Sequence, residues 1–112
     1  MFAEYELMTT FKGEFVFSLR FLSGGVLLTS EPHTNKVAAL TDIYSCRTNC
    51  ELDMRYECKT DLNGQFYFIL KAVNERVLGR SEMHASESAC ARAIASVKQY
   101  GTDALIVERR FS

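Results

Sequence analysis

Two short segments of the chain carry side chains that could do acid–base chemistry or hold a metal ion. Both read Ser-Glu-x-His, at residues 30–33 and 81–84. Each precedes a predicted helix start, where free N–H groups attract anions, and glutamate with histidine can bind a metal or exchange protons. A histidine beside a helix start is also commonly a surface or capping residue. The candidate loop residues are Glu31, His33, Glu82 and His84.

The cysteines form a second candidate site. Cys46 and Cys50 have a Cys-x3-Cys spacing, which is half of a zinc pattern. A closed site would also need Cys58 and a ligand such as His33, which lies beyond the far end of the same helix. We therefore expect no metal and no cofactor, and interpret the cysteines as small apolar residues and surface thiols, with Cys90 in the core.

Aromatic residues mark two strands that resemble the base-stacking strands of RNA-binding sheets. Their alternation with other residue types predicts instead that Phe15, Phe17, Phe66 and Phe68 face the helices and form the core. The opposite face then forms a candidate binding surface, unless it is an ordinary solvated sheet face. The candidate face residues are Arg20, Tyr67, Ile69 and Lys71.

No catalytic constellation accompanies these candidates. The chain has no nucleophile–base arrangement outside the repeated loops, no phosphate-binding glycine loop and no dinucleotide fingerprint. We therefore name no catalytic residue and expect a protein that is not an enzyme.

An internal repeat positions these residues. Residues 5–55 align with residues 56–106 without a gap, and fifteen of the 51 aligned positions are identical. Tyr5-Glu6 falls on Tyr56-Glu57, and His33 falls on His84. Such self-similarity is typical of duplicated structural units. We predict one domain over residues 1–112, built of these two repeats.

Each repeat is predicted to contain strands and one helix. Alternation over residues 52–58 predicts a strand shared by both copies, and residues 65–71, 77–78 and 104–107 also have strand composition. Ser86 is the predicted N-cap of the second helix, with an apolar stripe of Cys90, Ile94 and Val97. In the first helix the cap is Thr34 or Asn35. Its predicted stripe is Val37, Leu40 and Ile43.

Composition limits the remaining possibilities. The formal net charge of −1 gives no general attraction to nucleic acid or to an anionic membrane. No apolar run reaches the roughly 20 residues that span a bilayer, and the acidic N-terminus lacks a signal-peptide pattern. We expect a cytoplasmic monomer with an internal pseudo-two-fold axis and reduced cysteines.

Three stretches of the second copy resemble the YegP-like family of small bacterial proteins of uncharacterised function. They are residues 66–74, 81–83 and 93–98. The resemblance implies an α+β fold in which each copy contributes three strands, one helix and two strands. The copies would share one antiparallel sheet with both helices on one face, and would exchange their C-terminal strands. A departure is Asn74-Glu75, where the family hairpin usually has Asn-Gly; a longer turn would avoid a strained glutamate.

Three functional hypotheses follow from these features. The first is a small non-catalytic module that binds a protein partner through its open sheet face or its edges. The second is a single-stranded nucleic-acid binder using Arg20, Tyr67 and Lys71, although the charge makes nucleic acid a poor expectation. The third is a metal or redox protein.

Overall fold

The computed structural model describes residues 2–110, which form seven strands, two α-helices and one short 3-10 turn. In chain order the elements are β1 (Ala3–Thr9), β2 (Phe15–Phe21), β3 (Val26–Thr29), α1 (Lys36–Asn49), the 3-10 turn (Asp53–Arg55), β4 (Tyr56–Thr60), β5 (Phe66–Lys71), β6 (Val77–Arg80), α2 (Glu87–Tyr100) and β7 (Leu105–Arg110).

All seven strands form one sheet in the order β4-β5-β6-β3-β2-β1-β7. Neighbouring strands are antiparallel except β1 and β7, which are parallel, with Tyr5 opposite Ile106. The prediction of an antiparallel sheet is therefore wrong at this edge, and the sheet is mixed. Because α2 carries the chain from β6 across the sheet, β7 arrives at the distant edge in the same direction as β1.

One core lies between the sheet and both helices. Phe17 and Phe68 are fully buried, which confirms that the alternating phenylalanines face the helices. The helices contribute Ile43 and Cys46 from α1 and Val97 from α2 to the same cluster. Neither helix is long and apolar enough to cross a membrane, in the part of the chain that the structure describes.

Both helices begin at capping side chains. Asn35 accepts a hydrogen bond from the N–H of Ala38, and Ser86 accepts one from Ala89, so the predicted caps are confirmed. The stripe predicted for α1 is wrong at Val37, which is 72% exposed. The residues of α1 that are buried instead are Ala39, Asp42, Ile43, Cys46 and Asn49.

The chain between α1 and β4 is a turn and not a strand. The N–H groups of Leu52 and Arg55 bond to the carbonyls of Asn49 and Leu52, and the prediction of one continuous strand over residues 52–58 is wrong in its first half. The apparent alternation misled because Leu52 and Met54 are both exposed. A chain leaving a helix must reverse before it can join the sheet, and this turn makes the reversal.

The second-copy hairpin places a glutamate in a strained backbone conformation. Glu75 has φ 72°, and its N–H bonds to the carbonyl of Ala72. The equivalent residue 51 positions earlier is Gly24, also with positive φ. The N–H of Ala72 bonds to the carbonyl of Arg76, so the loop has three residues and is longer than a two-residue Asn-Gly turn. The expectation that a longer turn would spare the glutamate is wrong, because its third residue still has a positive φ.

Candidate functional site

The four predicted face residues lie on the side of the sheet opposite the helices. Arg20 is in β2 and the others are in β5, with β6 and β3 between them. Ile69 is only 6% exposed, which contradicts its predicted accessibility. Arg80 is directly opposite Ile69, and its guanidinium lies over the ring of Tyr67 at 5.6 Å. This long side chain crosses the apolar part of the face.

The two predicted cations of this face, Arg20 and Lys71, are each paired with carboxylates. Arg20 lies 3.4 Å from Glu6, and Lys71 lies 3.5 Å from Glu57 and 2.7 Å from Glu75. The hydrogen bond to Glu75 raises the pKa of Lys71 above its ordinary value. A phosphate backbone would have to compete with these carboxylates, so the nucleic-acid hypothesis gains no support from the arrangement.

The repeated Ser-Glu-x-His loops join the strands around them. The hydroxyl of Ser30 accepts from the N–H of Phe17 at 3.0 Å, and Ser81 accepts from Phe68 at the same distance. Each hydroxyl also donates to the carbonyl of the following glutamate. The serines therefore hold the loops against the second strand of each half.

The histidines of these loops differ in their surroundings. His33 Nε2 lies 2.8 Å from Asp42 Oδ2, and Asp42 is also bonded by both terminal nitrogens of Arg76. Burial alone would raise the pKa of Asp42, but the hydrogen bonds from Arg76 and His33 outweigh it and lower the pKa. The counterpart of Asp42 near His84 is Ala93, so only one loop has this contact. The arrangement connects α1 to the β5–β6 hairpin, and the thiol one helical turn from Asp42, that of Cys46, is buried with a raised pKa.

Three of the four cysteines are buried. Burial raises the pKa of Cys46 and Cys50, which makes their thiols poor nucleophiles and poor metal ligands. Cys90 is 2% exposed, and Cys58 is exposed. Within residues 2–110 there is no group of three or more His, Cys, Asp or Glu residues that could hold a metal ion.

The outer strand β4 presents an uncovered edge beside β5. Phe68 of β5 directs both its N–H and its C=O towards Ser81, so its partner Cys58 turns its own N–H and C=O away from the sheet. The same alternation turns Thr60 outwards. At Tyr56 the N–H is bonded to the carbonyl of Asp53 in the turn that precedes β4, so only the carbonyl of Tyr56 points outwards without this bond. These groups form a template for another strand.

The equivalent edge in the other half of the molecule is covered. β1 lies 51 residues before β4, and β7 runs parallel along its outer side. Arg109 Nη1 lies 2.7 Å from Glu4 and 2.8 Å from Glu6 on the open face, and Lys36 lies 2.6 Å from Glu108 on the helix side. Among residues 2–110, the β1 edge thus has a strand bound along it, and the matching β4 edge has none.

A groove of about 370 Å³ accompanies the β4 edge. It lies between β4 and α2, and its lining is mostly apolar. The principal lining residues are Cys58, Phe66, Cys90, Ala91 and Ile94, with Glu87 and Ser88 of the first turn of α2. The sequence argument named the sheet edges in general but did not identify this one. The sequence pattern that could have identified it is the helix followed by a strand after residue 86. That last strand, β7, can cover only one of the two matching strands β1 and β4.

These features define a class of small α+β proteins with one mixed seven-stranded sheet and two helices on one side. A family model described as a domain of unknown function, DUF1508, matches residues 61–108. The UPF0339 protein YegP of Escherichia coli K12 is 43% identical over 98 residues, which cover 88% of this chain and 89% of the relative. A UPF0339 protein in the ptx operon 5′ region of Stutzerimonas stutzeri is 37% identical over 108 residues, covering 96% and 97%.

Solved structures agree with these relatives. The solution NMR structure of YegP from E. coli has a TM-score of 0.92 and 39% identity, covering 100% of this chain and 97% of that one. A UPF0339 protein of Shewanella oneidensis has a TM-score of 0.92 and 35% identity, covering 98% and 93%. The chain belongs to the UPF0339 family, and the YegP-like resemblance is confirmed. The YegP structure is described as that of a protein of unknown function, so no activity comes from the comparison.

Proposed function

We propose that this chain is a small non-catalytic interaction module that binds an extended segment of a partner protein at the β4 edge. The observation that carries the proposal is the difference between the two halves. The outer side of β1 is occupied by β7, whereas no other described strand lies along the matching side of β4, which borders an apolar groove.

Strand addition is a common way for a sheet to bind peptides, since the main chain supplies affinity and the pockets beside alternate side chains supply specificity. The other outer strand, β7, is less suitable. Its last three described residues, Glu108, Arg109 and Arg110, are charged and exposed, which is how proteins usually protect an edge. β4 also carries charged residues, Glu57 and Lys59, but these lie on the open face. Its helix-side residue Cys58 is uncharged and borders the groove, whereas the helix-side Glu108 of β7 is charged.

The internal organisation supports this proposal. We infer that residues 5–55 and 56–106 arose as tandem copies, and that β7, which begins at the end of the second copy and extends beyond it, is placed on the first. This one-way placement explains why one edge is covered and the other is not. The four free cysteines agree with a role in the cytoplasm, where thiols stay reduced.

A proline variant tests the proposal. In Cys58→Pro the lost N–H points away from β5, so the β4–β5 ladder stays intact while strand addition loses a donor. Cys58→Ser keeps that N–H and is the matched control. The tagged proteins would be used for capture from lysate of the source organism, with nuclease, and their associated proteins quantified. We expect a partner that binds the wild type and Cys58→Ser but not Cys58→Pro.

The same experiment includes the rival surface. The double variant Arg20→Glu/Lys71→Glu reverses the charge of the open face and leaves the β4 main chain unchanged. Capture that survives Cys58→Pro and disappears in the double variant would move the interaction to the sheet face and overturn the edge proposal.

A further inference from the structure

We propose that the segment bound at β4 runs parallel to it and places a lysine or arginine against Glu87, with a branched apolar residue two positions earlier. The inference rests on the proposed function, because it specifies the segment that occupies the same edge. It is argued from the contacts that β7 makes with β1 and α1, transferred to the matching positions 51 residues later.

The direction follows from the occupied edge. β7 is parallel to β1, with Ile106 opposite Tyr5 and Glu108 opposite Leu7. β4 turns the same alternate main-chain groups outwards, except that the N–H of Tyr56 is already bonded to the carbonyl of Asp53. A segment in the same register therefore places one residue opposite Tyr56 and the next residue but one opposite Cys58. The side chains of both segment residues lie on the helix side, since paired residues of neighbouring strands share a face.

The size of the groove indicates the kind of side chain it takes. At the β1 edge the corresponding positions hold Leu7 and Leu40, whereas at the β4 edge they hold Cys58 and Ala91. The smaller residues leave space that a long side chain can fill. Lysine and arginine have aliphatic stems that pack along apolar surface while the charged end reaches outwards. The stem would lie against Cys58.

The charge at the start of α2 indicates the charge of the partner side chain that lies against it. At the β1 edge Lys36 of α1 pairs with Glu108 of β7 at 2.6 Å. The residue that matches Lys36 in α2 is Glu87, which is exposed at the groove. The required charge is therefore reversed, and a cation two residues after the branched apolar residue would take the place of Glu108. The open face makes no comparable demand, because Glu57 already pairs with Lys71.

This charge reversal argues against a second copy of β7 as the occupant, since Glu108 would face Glu87. A second copy could instead pair through its own β4 in the antiparallel sense. Such a pair centred on Cys58 would place Glu57 opposite Lys59 of the other molecule. The oligomeric state of the protein distinguishes that arrangement from peptide binding.

Two synthetic peptides test the proposal on the full chain. One has the sequence of residues 104–110, and the other has the same sequence with Glu108→Lys; both are acetylated and amidated. Binding to the isotopically labelled protein would be followed by NMR at the amides of Cys58 and Thr60. We expect the lysine peptide to bind about fivefold more tightly, because an attraction replaces a repulsion at an exposed site. The difference should decrease in high salt.

A protein variant separates this contact from general charge. Glu87→Lys should reverse the preference, so that the glutamate peptide binds more tightly. Glu51→Lys makes the same change of net charge at the far end of α1, and should leave the preference for the lysine peptide in place. Reversal by both variants would show a nonspecific attraction and overturn the inference.

The remaining outcomes are also decisive. Equal affinities with shifts at Cys58 and Thr60 would refute the charge rule and leave the proposed function standing. No binding of either peptide at millimolar concentration would refute both. Chemical-shift changes confined to Tyr5 and Leu7 would mean that the peptide replaces β7. A dimer that the Lys59→Glu substitution dissociates would mean that a second copy of the chain occupies the β4 edge. Either result overturns the inference.

Discussion

Replacing Asp42 by asparagine should destabilise the protein by about 2 kcal/mol at neutral pH. The carboxylate is 3% exposed and accepts hydrogen bonds from His33 Nε2 and from two nitrogens of Arg76. Oδ2 alone accepts from both residues at 2.8 Å. An amide group keeps one acceptor and turns a donor towards other donors, so part of this network is lost.

The magnitude follows from the unequal burial of the partners. Removing one member of a fully buried ion pair typically costs about 3–5 kcal/mol, because the other charge is left unpaired. The side chain of Arg76 is 50% exposed and can be hydrated again, whereas that of His33 is 13% exposed. The expected loss is therefore below that range, and corresponds to about 8 °C in Tm for a domain of this size.

The loss should depend on pH with a defined sign. The pKa of Asp42 is lower in the folded protein than in the unfolded chain, so ionisation stabilises the folded state. That contribution is complete above roughly pH 5 and is lost as the pH falls through the native pKa. The difference between the wild type and Asp42→Asn should therefore shrink below about pH 4.

Urea unfolding of both proteins between neutral and acidic pH measures this dependence, with the exposed Asp103→Asn as control. A variant within about 0.5 kcal/mol of the wild type at neutral pH would refute the reasoning, since that is the ordinary range for surface substitutions. A loss of equal size at acidic pH would show that the effect does not come from the charge.

Three further predictions concern single side chains. Tyr5→Phe removes the buried hydrogen bond to the carbonyl of Gly101 (2.6 Å) and should cost about 1–2 kcal/mol in chemical denaturation; an unchanged midpoint would contradict this. Glu75→Gly should raise the free energy of unfolding by roughly 0.5–1 kcal/mol, because glycine tolerates φ 72°. A lower Tm would show that the lost ion pair with Lys71 outweighs this gain. In the native protein Cys58 should react with a thiol reagent while Cys46 stays protected, as mass spectrometry would show; equal labelling would contradict the assigned burial.

Local sequence determined most of the individual elements. Asn35 and Ser86 mark the helix starts because their side chains can satisfy free N–H groups within the first turn. Phe17 and Phe68 were assignable to the core because strand side chains alternate between faces. Both signals depend on residues close together in the chain.

The tertiary structure alone decided which elements meet. The sheet order brings β7 beside β1, about 100 residues earlier in the chain, and no local pattern specifies that pairing or its parallel direction. Arg76 reaches Asp42 through a contact between segments that are distant in the chain. The bare edge of β4 has the same origin, because whether a strand lies at the edge of a sheet depends on where all the other strands pair. Repeated sequence predicts repeated units, but their two environments differ because the one remaining strand can cover only one of them.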